Sequence, residues 1–301
     1  MYFRNAIEAI GHTPFIEISK MNPNKKVKIL AKLEGQNLGG SASVKDRIAK
    51  YMIEKAEESG KLTSDKIIIE ATSGNTGIAL AWLGCQKGYK VTVVMPDSMS
   101  LERRQMLKLC GAELILTPGV QKMNGAIETA REMAAKDDRY FMPDQFTNPA
   151  NPLAHYETTG VEILEAFPYD RIDVLVAGIG TGGTIVGVTR RLKEKFPKLK
   201  VVGVEPLITD PIQGLRNLGE YMPPIIDLSL ISERRTVTSL EARQTTRQLM
   251  EREGIFCGLS SGAIACQVLK TAQEMNEGNI VTVFPDGGWK YLSMDFWMKN
   301  D

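Results

Sequence analysis

Strand-like and helix-like apolar patterns alternate along the whole chain. Short runs rich in valine and isoleucine are followed by longer segments in which apolar residues recur every three to four positions. Parallel strands need a long crossover connection, usually a helix, so this alternation is typical of βαβ units. It predicts an α/β fold with two doubly wound lobes and mostly parallel sheets. The predicted strands are 28–33, 66–70, 90–95, 113–116, 173–176, 200–204 and 279–284, and the predicted helices are 48–58, 78–86, 101–109, 123–135, 152–166, 185–195, 240–253 and 263–275.

Composition excludes several classes of function. The chain has 301 residues, of which 43% are hydrophobic, enough for a substantial core. Its 37 basic residues nearly balance its 36 acidic ones without a block of like charge, so no nucleic-acid or membrane surface is indicated. No signal segment or long apolar run is present, and we expect a soluble cytoplasmic protein with free thiols. The four cysteines lack metal-ligand spacing, so no metal site is expected: Cys85, Cys110, Cys257 and Cys266.

The segment 43–47, Ser-Val-Lys-Asp-Arg, opens an amphipathic helical stretch. A lysine at this place lies near the positive end of the helix dipole, which favours the neutral, nucleophilic amine. Such an amine can form a Schiff base with a carbonyl compound. Taken alone, however, Lys45 would be interpreted as an ordinary solvated lysine.

The segment 72–77, Thr-Ser-Gly-Asn-Thr-Gly, follows a predicted strand and precedes a predicted helix. Its two glycines allow a sharp turn, so that backbone N–H groups and the hydroxyls of Thr72, Ser73 and Thr76 can converge on an anion. A helix N-cap would need fewer polar residues than this segment contains. The pattern therefore predicts a carboxylate site.

The segment 178–184, Gly-Ile-Gly-Thr-Gly-Gly-Thr, also connects a predicted strand to a predicted helix. Glycines at such a place allow close approach of a phosphate to the helix N-terminus. The spacing of its glycines also matches the dinucleotide fingerprint, with Glu205 at the position of the ribose-binding acid. The segment is thus a predicted phosphate site, and taken alone it would suggest the nicotinamide dinucleotide NAD.

Four segments in this order resemble the cysteine synthase and cystathionine β-synthase family of fold type II pyridoxal-phosphate enzymes. They are Lys45 with its neighbours, 72–77, 180–184 and 258–262. Two further segments, 145–152 and 288–293, are most similar to the cysteine synthase B branch of this family.

The resemblance implies pyridoxal 5'-phosphate as cofactor and assigns roles to individual residues. Lys45 would hold the cofactor covalently and later remove the substrate's α-proton. Ser260 would face the pyridine nitrogen, and Arg216 would lie near a leaving phosphate. The implied cofactor-binding residues are Lys45, Asn75, Gly180, Thr181, Gly182, Gly183, Thr184 and Ser260. The implied substrate-binding residues are Thr72, Ser73, Asn75, Thr76, Gln145 and Arg216.

The resemblance also implies an architecture and partners. Residues 1–34 with 145–301 would form a larger cofactor-binding lobe, and 35–144 a smaller mobile lobe that binds substrate. The expected assembly is a homodimer, and serine acetyltransferase is a partner of some family members.

The implied activity is cysteine synthesis by β-replacement on O-acetylserine or O-phosphoserine with sulfide or another sulfur donor. The loop 37–45 is two residues longer than usual in the family and lacks its proline, which leaves the leaving group and the sulfur donor open. One alternative is a related β-eliminating or β-exchanging enzyme that acts on cysteine or serine and forms hydrogen sulfide, lanthionine or cystathionine. A more distant one is a nicotinamide-dependent oxidoreductase.

Overall fold

The structure, a computed structural model, describes residues 2–72, 74–97, 101–294 and 297. The chain divides into two compact units, one containing Asn37–Ala150 and the other Gly11–Gln36 together with the chain from Asn151 onward. Residues 2–10 group with the first unit, whereas the sequence-based division assigned them to the larger lobe. The mobility and the substrate role of the smaller lobe stay predictions.

The first unit is built on a parallel sheet with the strand order β5-β4-β3-β6. Helices cover both of its faces because its central strands are apolar on both sides: Ile68 packs with α1 and α2, and Ile69 with α4. The strands are β3 (Ile67–Ala71), β4 (Lys90–Pro96), β5 (Glu113–Thr117) and β6 (Tyr140–Phe141), and the helices are α1 (Lys45–Glu58), α2 (Asn75–Lys87), α3 (Leu101–Leu109) and α4 (Lys122–Lys136).

The second unit contains a sheet with the order β1-β2-β10-β7-β8-β9, parallel except for the antiparallel pair β1 and β2. Two apolar clusters fill its two faces. Its strands are β1 (Phe15–Glu17), β2 (Val27–Leu33), β7 (Val174–Gly178), β8 (Lys200–Pro206), β9 (Glu233–Val237) and β10 (Gly278–Phe284). Its helices are α5 (Ala150–Ala154), α6 (Gly160–Ala166), α7 (Gly183–Lys195), α8 (Ser239–Gln248) and α9 (Leu259–Glu274).

The prediction of an α/β fold with two doubly wound, mostly parallel sheets is confirmed. Two predicted helices differ in detail, because π-helical turns at His155–Thr159 and Leu249–Glu253 interrupt the regular α-helical hydrogen bonding. Strands β1, β6 and β9 were not predicted. The first two have three and two residues, and β9 reads Glu-Arg-Arg-Thr-Val, so none shows a clear apolar alternation.

Two negative findings concern the described residues. Among them, no helix is long and apolar enough to cross a membrane. The same part of the chain contains no group of three or more histidine, cysteine, aspartate or glutamate side chains that could hold a metal ion.

Candidate functional site

Lys45 is the first residue of α1, as the sequence predicts. Its backbone N–H donates to Ser43 Oγ at 3.0 Å, and the buried carboxylate of Asp46 accepts from the N–H groups of Ser41 and Ser43 at 3.0 and 2.9 Å. A side chain at Gly39 would collide with Asp46, since a Cβ there would lie 2.2 Å from its Cγ. The longer loop before Lys45 is therefore a compact turn closed around Asp46.

The 72–77 segment links the carboxyl end of β3 to the N-terminus of α2, with Asn75 as the first helical residue. Gly74 N–H donates to Thr72 Oγ1 at 3.2 Å. At Gly77 a Cβ would lie 2.6 Å from Thr72 Cγ2, so the turn can close only around a glycine. Ser73 lies outside the described residues.

Gln145 lies beside this turn although it is 69 residues away in sequence. Thr76 Oγ1 donates to Gln145 Oε1 at 2.7 Å, and both side chains are buried. The bond uses the oxygen of the Gln145 amide, so the nitrogen is the end that can donate to an anion. Within the first unit, the structure thus brings Thr72, Thr76 and Gln145 together.

The glycines of the 180–184 segment make a cradle at the N-terminus of α7. Gly182 has φ +91°, a conformation that favours glycine. A Cβ at Gly180 would lie 2.7 Å from Gly214 O, and one at Gly183 would lie 1.8 Å from Asn151 Oδ1. No acidic residue is present in the first turn of α7, so the helix dipole and the N–H groups at this end favour an anion.

Two residues that the sequence analysis did not identify, Asn151 and His155, contact the threonine side chains of this cradle. Asn151 Nδ2 donates to Thr181 Oγ1 at 3.0 Å, and His155 Nε2 lies 3.2 Å from Thr184 Oγ1. His155 is fully buried, and its Nδ1 is 3.0 Å from Thr159 Oγ1. Their i, i+4 spacing, which places both on one face of a helix, was the available signal.

The chain at 214–216 lies between the cradle and Ser260. Arg216 N–H donates to Ile179 O at 2.7 Å, immediately before the cradle. Gly214, whose φ is +91°, lies beside Ser260: a Cβ built on it would be 3.5 Å from Ser260 Oγ. Ser260 is buried in the first turn of α9, whose N-cap is Gly258. The second unit thus brings the cradle, Arg216 and Ser260 together.

Arg216 is half-buried, and its guanidinium lies 5.0 Å from the centre of the Tyr221 ring. Burial lowers the pKa of Arg216 from its ordinary value, while Tyr221 and Glu220 act in the opposite direction. An anion beside the guanidinium would offset this cost of burial.

Asp286 and Cys257 lie at the end of β10. Tyr291 donates a hydrogen bond of 2.6 Å to Asp286 Oδ2, and Lys290 Nζ is 3.8 Å from the same oxygen. Burial, with the nearby charge of Asp286, raises the pKa of Cys257 to about 12. Cys257 is therefore a neutral thiol near pH 7 and not a nucleophile.

Glu205 has partners that argue against a dinucleotide site. Its Oε2 accepts from Leu218 N–H at 2.8 Å, and its Oε1 pairs with Arg234 at 3.2 Å. The carboxylate that would bind a ribose is thus engaged within the protein.

The second unit also has a cavity of about 960 Å³ at the amino ends of β7, β8 and β9, away from the cradle. Arg235 bridges Glu233 and Glu274 at its rim. Ligands of open α/β sheets bind at the carboxyl ends of the strands, so the size of this cavity does not make it the site.

The sequence matches the family model described as pyridoxal-phosphate dependent enzyme over residues 7–286. The chain therefore belongs to the pyridoxal-phosphate-dependent enzymes, and pyridoxal 5'-phosphate, rather than a nicotinamide, is its cofactor.

Individual proteins and solved structures show a more specific similarity. The chain is 42% identical to the cysteine synthase of Staphylococcus aureus strain N315, over 99% of this chain and 98% of that one. The crystal structure of an O-ureido-L-serine synthase superposes with a TM-score of 0.93 at 38% identity, covering 100% of this chain and 97% of that one. A hydrogen sulfide-producing enzyme from Fusobacterium nucleatum gives 0.90 at 40% identity, covering 97% and 100%.

The observed residues fit the cofactor. Its phosphate needs backbone donors without intervening side chains, and the cradle supplies a helix N-terminus at which Cβ atoms at Gly180 and Gly183 would collide with neighbours. The hydroxyls of Thr181 and Thr184 are held by Asn151 and His155.

Proposed function

We propose that this protein is a cysteine synthase that replaces the β-substituent of an activated L-serine with sulfide. The observation that carries the proposal is the pairing of Thr76 with Gln145 beside the N-terminus of α2, where polar side chains and the helix dipole favour a carboxylate. The full-length similarity to a cysteine synthase supports it.

In this proposal two groups of residues bind the cofactor and the substrate, and Lys45 also transfers a proton. Gly180, Thr181, Gly182, Gly183 and Thr184 would hold the cofactor's phosphate, Ser260 would bond its ring nitrogen, and Asn75 would bond its ring oxygen. Thr72, Ser73, Asn75, Thr76 and Gln145 bind the substrate's carboxylate. Bound pyridoxal phosphate supplies an electron sink for the pair released at the α-carbon. Lys45 would hold the cofactor through its amine, and the same amine, once free, would take the substrate's α-proton.

A rate assay tests the function directly. Holoenzyme is mixed with sulfide and either O-acetylserine or O-phosphoserine, and cysteine formation is measured. We expect turnover with at least one of them. A separate assay with cysteine alone measures hydrogen sulfide release. Failure with both activated serines would refute the proposal.

A second candidate is a hydrogen sulfide-producing enzyme that acts on cysteine. It is supported by the similarity to the Fusobacterium protein. The longer loop before Lys45, which closes around Asp46, leaves the preferred leaving group open. Faster sulfide release from cysteine than cysteine formation from either activated serine would select it.

Arg216 predicts a preference between the two activated serines. The planar guanidinium of Arg216 can donate two hydrogen bonds to a phosphate. Arg216→Ala should therefore reduce kcat/KM for O-phosphoserine about ten- to a hundred-fold, which corresponds to the loss of one charge-assisted hydrogen bond. O-acetylserine, which has no dianion, should be much less affected. Arg171→Ala, an exposed arginine beside Asp173, is the control. Equal losses for both substrates would assign Arg216 a structural role, and a wild type inactive with O-phosphoserine would also contradict the prediction.

We extend the proposal to assembly and location: a cytoplasmic homodimer that binds serine acetyltransferase. Light scattering measures the mass in solution. A pulldown with the acetyltransferase's C-terminal tail tests the second contact.

A further inference from the structure

Glu70 is a buried carboxyl group in β3, two residues before the 72–77 turn. It is 2% exposed. Its Oε1 accepts from Ala71 N–H at 3.2 Å, and its Oε2 has no hydrogen-bond partner within the described residues. Burying a carboxyl group with an unsatisfied oxygen is costly, and the mechanism above gives it no role.

The register of the sheet places Glu70 next to the segment that leaves β6. Strand β3 pairs in parallel with β6 through Ile67 with Tyr140 and Ile68 with Phe141. The chain after β6 then turns at Asp144, whose φ of +47° is unusual for a residue other than glycine. The backbone N–H groups of Asp144 and Gln145 favour the charged form of the Glu70 carboxyl group and so lower its pKa.

The Asp144 turn sets the position of Gln145. Asp144 O accepts from the N–H groups of Thr147 and Asn148 at 3.1 and 3.0 Å, which closes the turn on its other side. Gln145 then reaches Thr76, 2.7 Å away. A displacement of this turn would move the Gln145 amide away from Thr76.

We propose that the buried carboxyl group of Glu70 is a positioning residue: it holds the Asp144–Gln145 turn, and through it the Gln145 amide, where the substrate's carboxylate binds. The inference rests on the proposed function, because it presumes that an amino acid binds at Thr76 and Gln145.

The protonation of Glu70 gives this role a pH dependence. Burial, followed by the charge of Asp144, raises the pKa of Glu70 to about 8, against the opposing N–H groups of Gln145, Ala71 and Asp144. Near pH 7 the carboxyl group is mostly neutral; above pH 8 it adds a second negative charge beside Asp144 and should loosen the turn.

Other charged groups belong to the elements around Glu70. Strand β4 places Val93 opposite it, and α4 contributes Arg131, 4.0 Å from Asp144. Helix α2 carries no ionisable residue before Cys85 and Lys87, and the first turn of α1 carries Lys45, Asp46 and Arg47. Because these groups are present in every variant, a comparison of variants isolates Glu70.

The test titrates holoenzyme with O-acetylserine and follows the cofactor's absorbance from pH 6.5 to 9.5. Glu70→Ala should weaken binding about ten-fold at pH 7, the value of one lost hydrogen bond of about 1.4 kcal/mol, with kcat changed much less. Glu70→Gln, neutral at every pH, should bind like the wild type at pH 7. Above pH 8 the wild type should weaken relative to Glu70→Gln by about ten-fold per pH unit at most.

Glu54→Gln is the matched control. Burial also raises the pKa of this carboxyl group in α1, although the charges of Lys50 and Lys87 act to lower it. It should follow the wild type. A Glu70→Gln profile parallel to the wild type would overturn the inference and leave the proposed function intact. If no amino acid changed the wild-type spectrum at any pH, the proposed function would fail as well. Should Glu70→Ala not fold, the Glu70→Gln profile decides alone.

Thermal unfolding gives an independent readout of the proton. A folded-state pKa above the unfolded value of 4.5 means that the folded protein binds a proton that the unfolded chain has lost. The contribution to stability is therefore full below pH 4.5 and is lost as the pH rises through about 8. The apparent Tm of the wild type should fall across this window relative to Glu70→Gln, and parallel curves would contradict the titration.

Discussion

Replacement of Lys45 by alanine should abolish turnover, with an expected loss of about 10²- to 10⁴-fold or more, because the same amine anchors the cofactor and moves the α-proton. Alanine is the best helix former, and Asp46 closes the preceding turn through Ser41 and Ser43, so α1 should still begin at position 45. The loss should therefore report chemistry and not folding. Cysteine formation and circular dichroism measure the two separately.

Chemical labelling identifies the anchoring lysine directly. Borohydride reduction of the wild-type holoenzyme should fix the cofactor on the peptide that contains Lys45, as seen by mass spectrometry. Lys50→Ala, in the same helix, is the control and should retain both activity and the labelled peptide. A label on another lysine, or full activity of Lys45→Ala, would refute the assignment.

Gly183→Ala should give the second large effect, a loss of cofactor affinity of about a hundred-fold. The added Cβ would lie 1.8 Å from Asn151 Oδ1, and a real side chain cannot approach so closely. Either Asn151 releases Thr181 or the first turn of α7 shifts, and both changes remove donors from the cradle. Two charge-assisted bonds of about 1.5 kcal/mol each correspond to the stated loss.

Cofactor content and affinity measure this effect. Apoprotein is titrated with pyridoxal phosphate, and bound cofactor is followed by absorbance. Lys193→Ala, in the same helix α7, should bind like the wild type. An unchanged affinity in Gly183→Ala would mean that the phosphate does not bind in the cradle.

The alternating apolar pattern was sufficient to predict the regular elements that carry the site. Long apolar strands such as β4 and β8 could be read directly, and the polar, glycine-rich segments that follow β3 and β7 were predicted at the N-termini of α2 and α7, where they occur. The signal is local, since the period of the side chains reports which face of an element is buried.

The apolar pattern does not indicate which strands, far apart in the sequence, lie side by side in a sheet. Strand β2 lies beside β10, more than two hundred residues later, and its apolar face with Val27, Ile29 and Ala31 packs into the core of the second unit. Periodicity shows that a strand is buried but not beside which partner, since many apolar strands satisfy the same pattern. The family resemblance implied this crossover.

The sequence by itself thus determined the class of fold and the helix starts that can bind anions, because these depend on residues adjacent along the chain. Its resemblance to a known family implied the cofactor. The tertiary structure alone decided that Gln145 meets Thr76, that Asn151 supports Thr181, and that Glu70 is buried beside Asp144. Each of these contacts joins segments brought together by sheet pairing and helix packing. The protonation state of Glu70 follows from the same packing, because burial sets the free energy of its charge.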